Sequence, residues 1–365
     1  PNVHVAQGID PGGFVLDGFA IRPPGDPNET VAFNSDNVDT NAWAAFFVLN
    51  YDLTDNLELT VAGRYDKEEK ETVDVSGFSP FYGLQRSDTF DEFQPKVSLA
   101  WRPTEDLSFY GGYARGFQAG GFNGAQTFQN CVNAGMCPFT ESINEFGAAV
   151  SDSYEVGFKG RFLDRRLSVS AALFYEEKEN TQQFQFLPAV TGNIIQTIDE
   201  SEVLGFELES EAQITDNFVM TGGFAYIDSE ITEFAAEPTS VGNQLPFVPE
   251  FTATITATHF WDIGAAIGRT GLTLVSGVQY EHRGEQFFEA GNIPIWEREA
   301  LDLVNARIAL ESDDGWTLSF WGRNLTDKIF AEDVVPVFTP GTGLTTAVTM
   351  PSRPRTWGFE FSYDF

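Results

Sequence analysis

The chain has 365 residues, 54 of them acidic against 21 basic, for a formal net charge of −33; such a chain repels nucleic-acid phosphates, which removes that partner class. Hydrophobic residues make up 42% and aromatics 14%, too many for a disordered acidic chain. No apolar run approaches the roughly 18 residues of a membrane-crossing helix.

The dominant pattern is alternation with period 2. In Leu57–Tyr65, Leu57, Leu59, Val61 and Tyr65 share one face and Glu58, Thr60 and Arg64 the other. Phe251–His259 alternates with Thr at four consecutive inward positions, and Trp357, Phe359, Phe361, Tyr363 and Phe365 form one row near the end. In chain order the segments fall near 41–52, 57–75, 90–103, 107–120, 151–163, 166–187, 200–214, 217–233, 249–262, 270–288, 300–312, 315–327 and 353–365. Short connections such as 53–56, 104–106, 164–165, 215–216 and 313–314 alternate with long ones rich in Gly, Pro, Asn and acidic residues.

A soluble sandwich gives no reason for short and long connections to alternate so regularly. An all-β, transmembrane antiparallel β-barrel does: tight turns at the periplasmic rim and long loops outside, with an apolar face to lipid and a polar face to the lumen. Bacterial single-chain barrels have even strand counts, so thirteen segments imply the C-terminal part of a larger barrel, or one miscounted strand. Residues 1–40 then read as the remnant of an extracellular loop and 41–365 as barrel. Pro1 is no initiator, so an export signal is expected upstream or already removed. Cys131 and Cys137, in the longest connection, read as a small disulfide loop, with two free thiols as the alternative; two thiols alone complete no zinc site.

Three stretches resemble the TonB-dependent outer-membrane receptor family: Phe109–Asn123, Gly322-Arg-Asn-Leu-Thr-Asp-Lys328, and the closing strand Arg353–Phe365 with its terminal Phe. The resemblance covers the chain from about residue 41. It implies a 22-stranded barrel around an N-terminal plug, of which this chain would be the last thirteen strands. The plug, the TonB-binding segment and the early strands would lie upstream. It implies active uptake of a scarce ligand, with ferric siderophore as the leading class and cobalamin, haem, nickel complexes or oligosaccharide as alternatives. It also implies the outer membrane as location, and lipid, lipopolysaccharide, the TonB complex and the barrel assembly machinery as partners. No cofactor, metal or enzymatic activity is implied. A passive porin-like channel is the alternative of a different class.

Alternation places Arg64, Lys159, Arg161, Glu207, Glu209, Glu211 and Arg323 on the lumenal wall, as a plug-docking surface or merely a solvated one. The aromatic row Trp357, Phe359, Phe361, Tyr363 and Phe365 is the expected assembly signal. Candidate ligand contacts at the outer end are Arg115, Phe117, Phe122, Phe184 and Phe186. The two last are read as inward by parity with Ser168, Ser170 and Phe174.

Overall fold

The computed structural model describes residues 4–5, 31–32, 36–75, 83–124, 145–187, 192–264, 268, 270–339 and 344–364. Thirteen strands form one antiparallel sheet in which each pairs with its neighbour in sequence. They are β1 Asp36–Thr54, β2 Leu57–Asp74, β3 Gln85–Thr104, β4 Leu107–Gln118, β5 Ala149–Phe162, β6 Leu167–Leu187, β7 Gly192–Thr215, β8 Phe218–Glu233, β9 Phe251–Asp262, β10 Leu272–Arg283, β11 Leu301–Ser312, β12 Trp316–Arg323 and β13 Thr356–Tyr363. β1 and β13 are the two edges. This meander bears out the predicted order, and the connections predicted to be short all fall at one end.

The register fixes the two faces. Leu59, Leu99 and Gly111 lie side by side across β2, β3 and β4, and Phe109 lies beside Phe158. Many of these apolar side chains are exposed, Val156 at 56% and Ile255 at 48% among them, as a lipid-facing surface requires. The opposite face carries Thr60, Ser98, Lys159, Glu209 and Thr254.

Boundaries differ from the sequence reading in physically informative places. β1 begins at Asp36 rather than near 41, and β3 at Gln85 rather than near 90, because acidic and polar residues extend the β1–β2–β3 ladder into water. β7 begins at Gly192 rather than near 200, so a connection expected to be long shrinks to 188–191. β6 and β7 thus project as a long hairpin. The connection after β12 contains a hairpin of its own, Ala331–Thr339 paired with Leu344–Pro351, which the Pro-rich sequence did not announce.

Parity along β6 also breaks. Asn180 takes a positive φ of 53°, a left-handed conformation that Asn tolerates better than most residues. Beyond it the faces exchange. Ile198, opposite Thr181, and Ile194, opposite Gln185, are 1% and 2% exposed, whereas Phe184 is 63% exposed. The inward assignment of Phe184 by continued parity is therefore corrected: it lies on the face opposite the buried isoleucines, while the side chain of Phe186 lies outside the described residues.

Candidate functional site

The lumenal wall is built by register. Lys159, Ser170 and Glu209 lie in one cross-strand row, and Arg161, Ser168 and Glu211 in the next. Each cation thus stands two strand spacings from a carboxylate, about 10 Å. Ser170 Oγ donates to Glu209 at 3.5 Å. Arg161 Nε lies 3.0 Å from Asp106, and the Lys159 ammonium lies 5.9 Å from the Tyr110 ring centre. Glu207 sits opposite Ala172. Arg64, between Phe46 and Gln94, pairs with Asp66 at 2.5 Å. Arg323 lies 5.3 Å from the Trp321 ring centre, opposite Thr356 on the closing strand.

At the outer end, a cluster of Ile198, Val203, Ile231, Phe234, Leu245 and Ala290 packs with Phe174 against two long connections, 234–250 and 284–300. Side chains stitch these connections together. Asn292, itself at a positive φ of 47°, accepts from Gln244 N–H at 2.8 Å and donates to its carbonyl at 3.0 Å. Asn243 donates to the Ala290 carbonyl at 2.8 Å. Beside this seam, burial first and then Glu237 push the Glu289 carboxyl up to about 7. The ideal Cβ position at Gly291 lies 3.4 Å from Glu237 Oε1 and 3.8 Å from Glu289 Oε1. Arg298 is buried at 7% exposure and donates to the Gly284 carbonyl at 3.1 Å. Sequence reading passed over Glu289 and Arg298, because neither stands in a charge run or motif.

The sequence candidates at this end separate. Arg115 donates to Asp152 at 2.6 and 2.9 Å and to Glu92 at 3.2 Å. It sits where the β3–β4 pairing ends at Lys96–Ala114, and so clamps two strands across that gap. Its parity is that of Tyr113 and Phe109, on the apolar face. Phe117, opposite Val150, shares it. The Phe122 ring carries the Arg86 guanidinium at 5.2 Å. Phe184 presents an open ring near the tip of the long hairpin, and Phe186 lies opposite Asn193. Cys131, Cys137 and Phe365 lie outside the described residues. Trp357, Phe359, Phe361 and Tyr363 form one exposed row, at 70%, 70%, 67% and 48%.

The TonB dependent receptor-like β-barrel family matches residues 8–325. A relative from Acinetobacter baumannii, named "Probable TonB-dependent siderophore receptor PiuA", is 30% identical over 227 residues, covering 57% of this chain and 28% of that one. "Probable TonB-dependent receptor BfrD" of Bordetella pertussis is 26% identical over 208 residues, covering 55% and 26%. Among solved structures, the ferric yersiniabactin uptake receptor FyuA of Yersinia pestis is similar with a TM-score of 0.70 at 18% identity, covering 90% of this chain and 46% of that one. At that identity the likeness shows the fold alone. The chain spans less than half the length of these relatives. With the family matched over most of the sequence, on a thirteen-stranded meander with one apolar and one polar face, the chain belongs to the TonB-dependent receptor β-barrel family of the outer membrane.

Proposed function

We propose that this chain is the C-terminal barrel portion of a TonB-dependent importer that takes up a ferric siderophore across the outer membrane. The family match carries the reading. The name of the Acinetobacter relative, a siderophore receptor, favours that ligand class over cobalamin, haem or oligosaccharide. Among the described residues β1 and β13 are the sheet's edges, and since unpaired strand edges are not tolerated in hydrocarbon this favours closure within a larger barrel, for which the family resemblance implies 22 strands. The mixed charges of Lys159, Arg161, Glu207, Glu209, Glu211, Arg64 and Arg323 suit a wall that meets a polar plug. The protein supplies capture outside, a path through the lumen and release inside, coupled to the inner-membrane TonB complex. The row ending the chain is the signal for the barrel assembly machinery.

The test uses the full-length gene. Its deletion should abolish iron-limited growth on at least one ferric siderophore while leaving growth on ferrous iron intact. Uptake should stop when TonB is removed. Uptake that persists without TonB, together with steady ion conductance in planar bilayers, would establish the passive channel instead.

A further inference from the structure

The connection between β10 and β11 continues their ladder by one further rung. Arg283 stands opposite Leu301 where the paired strands end, and three residues on, in the same register, Gln286 stands opposite Arg298. The two exchange backbone hydrogen bonds: Gln286 N–H donates to the Arg298 carbonyl at 3.0 Å, and Arg298 N–H to the Gln286 carbonyl at 2.9 Å. Residues directly opposite in an antiparallel pair share a face, and their sequence neighbours take the other.

This short ribbon sorts its charges by face. Glu285, Glu297 and Glu299 flank the rung and fall together. Burial first, and then Glu285 and Glu299, push the Glu297 carboxyl up, and Glu285 is hydrogen-bonded to it. The other face carries Gln286 and Arg298, 8% and 7% exposed. The Arg298 guanidinium donates to the Gly284 carbonyl at 3.1 Å, while its Nε is buried with no partner among the described residues. The neighbouring charge is a second cation: burial first, and then Arg283, push the Arg298 pKa down. Arg283 itself is engaged by Glu281 at 2.6 Å. Among the described residues the hydrogen bonds of Gln286 all run through its backbone.

A buried guanidinium without a counter-charge is strongly unfavourable. Acidic residues outnumber basic ones 54 to 21 in this chain, yet the three nearest in sequence to Arg298 turn to the opposite face of the ribbon. We propose that Arg298 and Gln286 form a binding site for an oxyanion, a carboxylate or phosphate group supplied from outside the chain, at the outer end of β10 and β11. The guanidinium fork matches two oxygens of such a group with parallel N–H bonds, and the Gln286 amide adds a neutral donor. Both side chains are more than nine-tenths buried, so the site takes one such group rather than an extended surface. The group can arrive on a soluble species, inorganic phosphate or a carboxylate-bearing ferric chelate, or as a phosphate of lipopolysaccharide.

The test measures amide exchange over 284–300 in the full-length receptor at fixed pH and ionic strength. In detergent free of lipopolysaccharide, replacing chloride by inorganic phosphate should raise protection roughly fivefold or more, because an ion bound only by the closed form adds its binding free energy to the cost of opening. Arg298→Gln should abolish that response. Without oxyanion the variant should be at least as well protected as the parent, because it removes an uncompensated charge. Iron chelated by citrate, and nanodiscs with or without lipopolysaccharide in phosphate-free buffer, separate the sources. An Arg298-dependent response to phosphate or to the chelate supports a soluble ligand, and one confined to lipopolysaccharide supports the lipid. No response in any arm, or equal responses in parent and Arg298→Gln, overturns the proposal. So does an Arg298→Gln receptor less protected than its parent in every buffer, the mark of a carboxylate partner within the receptor itself.

Discussion

The Asn123 side chain grips one residue at both of its backbone groups: its amide donates to the Ile195 carbonyl at 2.8 Å, and its oxygen accepts from the Ile195 N–H at 2.7 Å. Lys70 and Arg86 reach the same segment, donating to the Gly120 and Asn123 carbonyls at 2.8 Å each. Gln182 donates to the Ala119 carbonyl at 3.0 Å. Residues 119–124 thus tie the β2–β3 ladder to the projecting β6–β7 hairpin.

Asn123→Ala should therefore loosen that hairpin without unfolding the sheet. Both backbone groups of Ile195 lose a buried partner, a local cost of about 1–3 kcal/mol. Amide exchange over 192–198 should accelerate roughly tenfold or more in the full-length receptor, with 205–213 unchanged. Equal protection in both segments would show that the clasp holds nothing.

Gly205 makes room for a ring. A Cβ there would collide with the Phe174 ring from the facing strand. Gly205→Ala should destabilise by about 1–3 kcal/mol through overpacking, seen as a lower unfolding temperature in detergent. Gly222→Ala is the control, since the nearest atom to a Cβ there is Ser210 Oγ at 3.4 Å. Phe174→Leu in the Gly205→Ala background should recover part of the loss.

The seam between 234–250 and 284–300 should depend on pH through Glu289. Its carboxyl is raised in the folded protein, to about 7 from an ordinary 4.5, by burial and then by Glu237. The folded state therefore holds a proton that the open seam releases between those values, and stability falls as pH rises from about 4.5 to 7. Hydrogen exchange corrected for intrinsic rates should show 284–300 better protected at pH 5 than at pH 8. Glu289→Gln should flatten that difference.

How much of this was legible in the sequence depends on period. Strict alternation revealed the strands, their faces and the row from Trp357 to Tyr363, because a sheet between lipid and water imposes a two-residue repeat. The same rule misassigned Phe184. Parity carries no information past Asn180, where one residue in the left-handed region turns the hairpin over. Arg115 looked available for a ligand because its two carboxylate partners lie far off in sequence, at Glu92 and Asp152.

The exposed row on β13 should act before the sheet closes. Phe359 lies beside Phe320, and Phe361 beside Leu318, on an edge strand. Deleting Phe365 from the full-length receptor should sharply lower its outer-membrane level, while the protein that does assemble keeps its unfolding temperature. Normal levels of heat-modifiable protein would dismiss the row as an assembly signal.

Ligand capture is tested most directly on the β6–β7 hairpin. Arg115 is engaged by Asp152 and Glu92, and Phe122 is covered by Arg86, so truncating either should disturb folding along with uptake. Phe184 differs: it is 63% exposed near the tip of a long two-stranded arm. A ring exposed there costs little to remove from the fold, because it packs against little. If it anchors ligand, truncation should cost more than about 1 kcal/mol, roughly fivefold or more in affinity. Phe184→Ala combined with Phe186→Ala should therefore raise the dissociation constant for the ferric siderophore at an unchanged surface level and unfolding temperature. Asn123→Ala in the same assay should weaken binding less, since it frees the arm but leaves the rings. Unaltered affinity in the double phenylalanine variant would move the binding surface to the connections at 234–250 and 284–300 or to the part of the receptor upstream of β1.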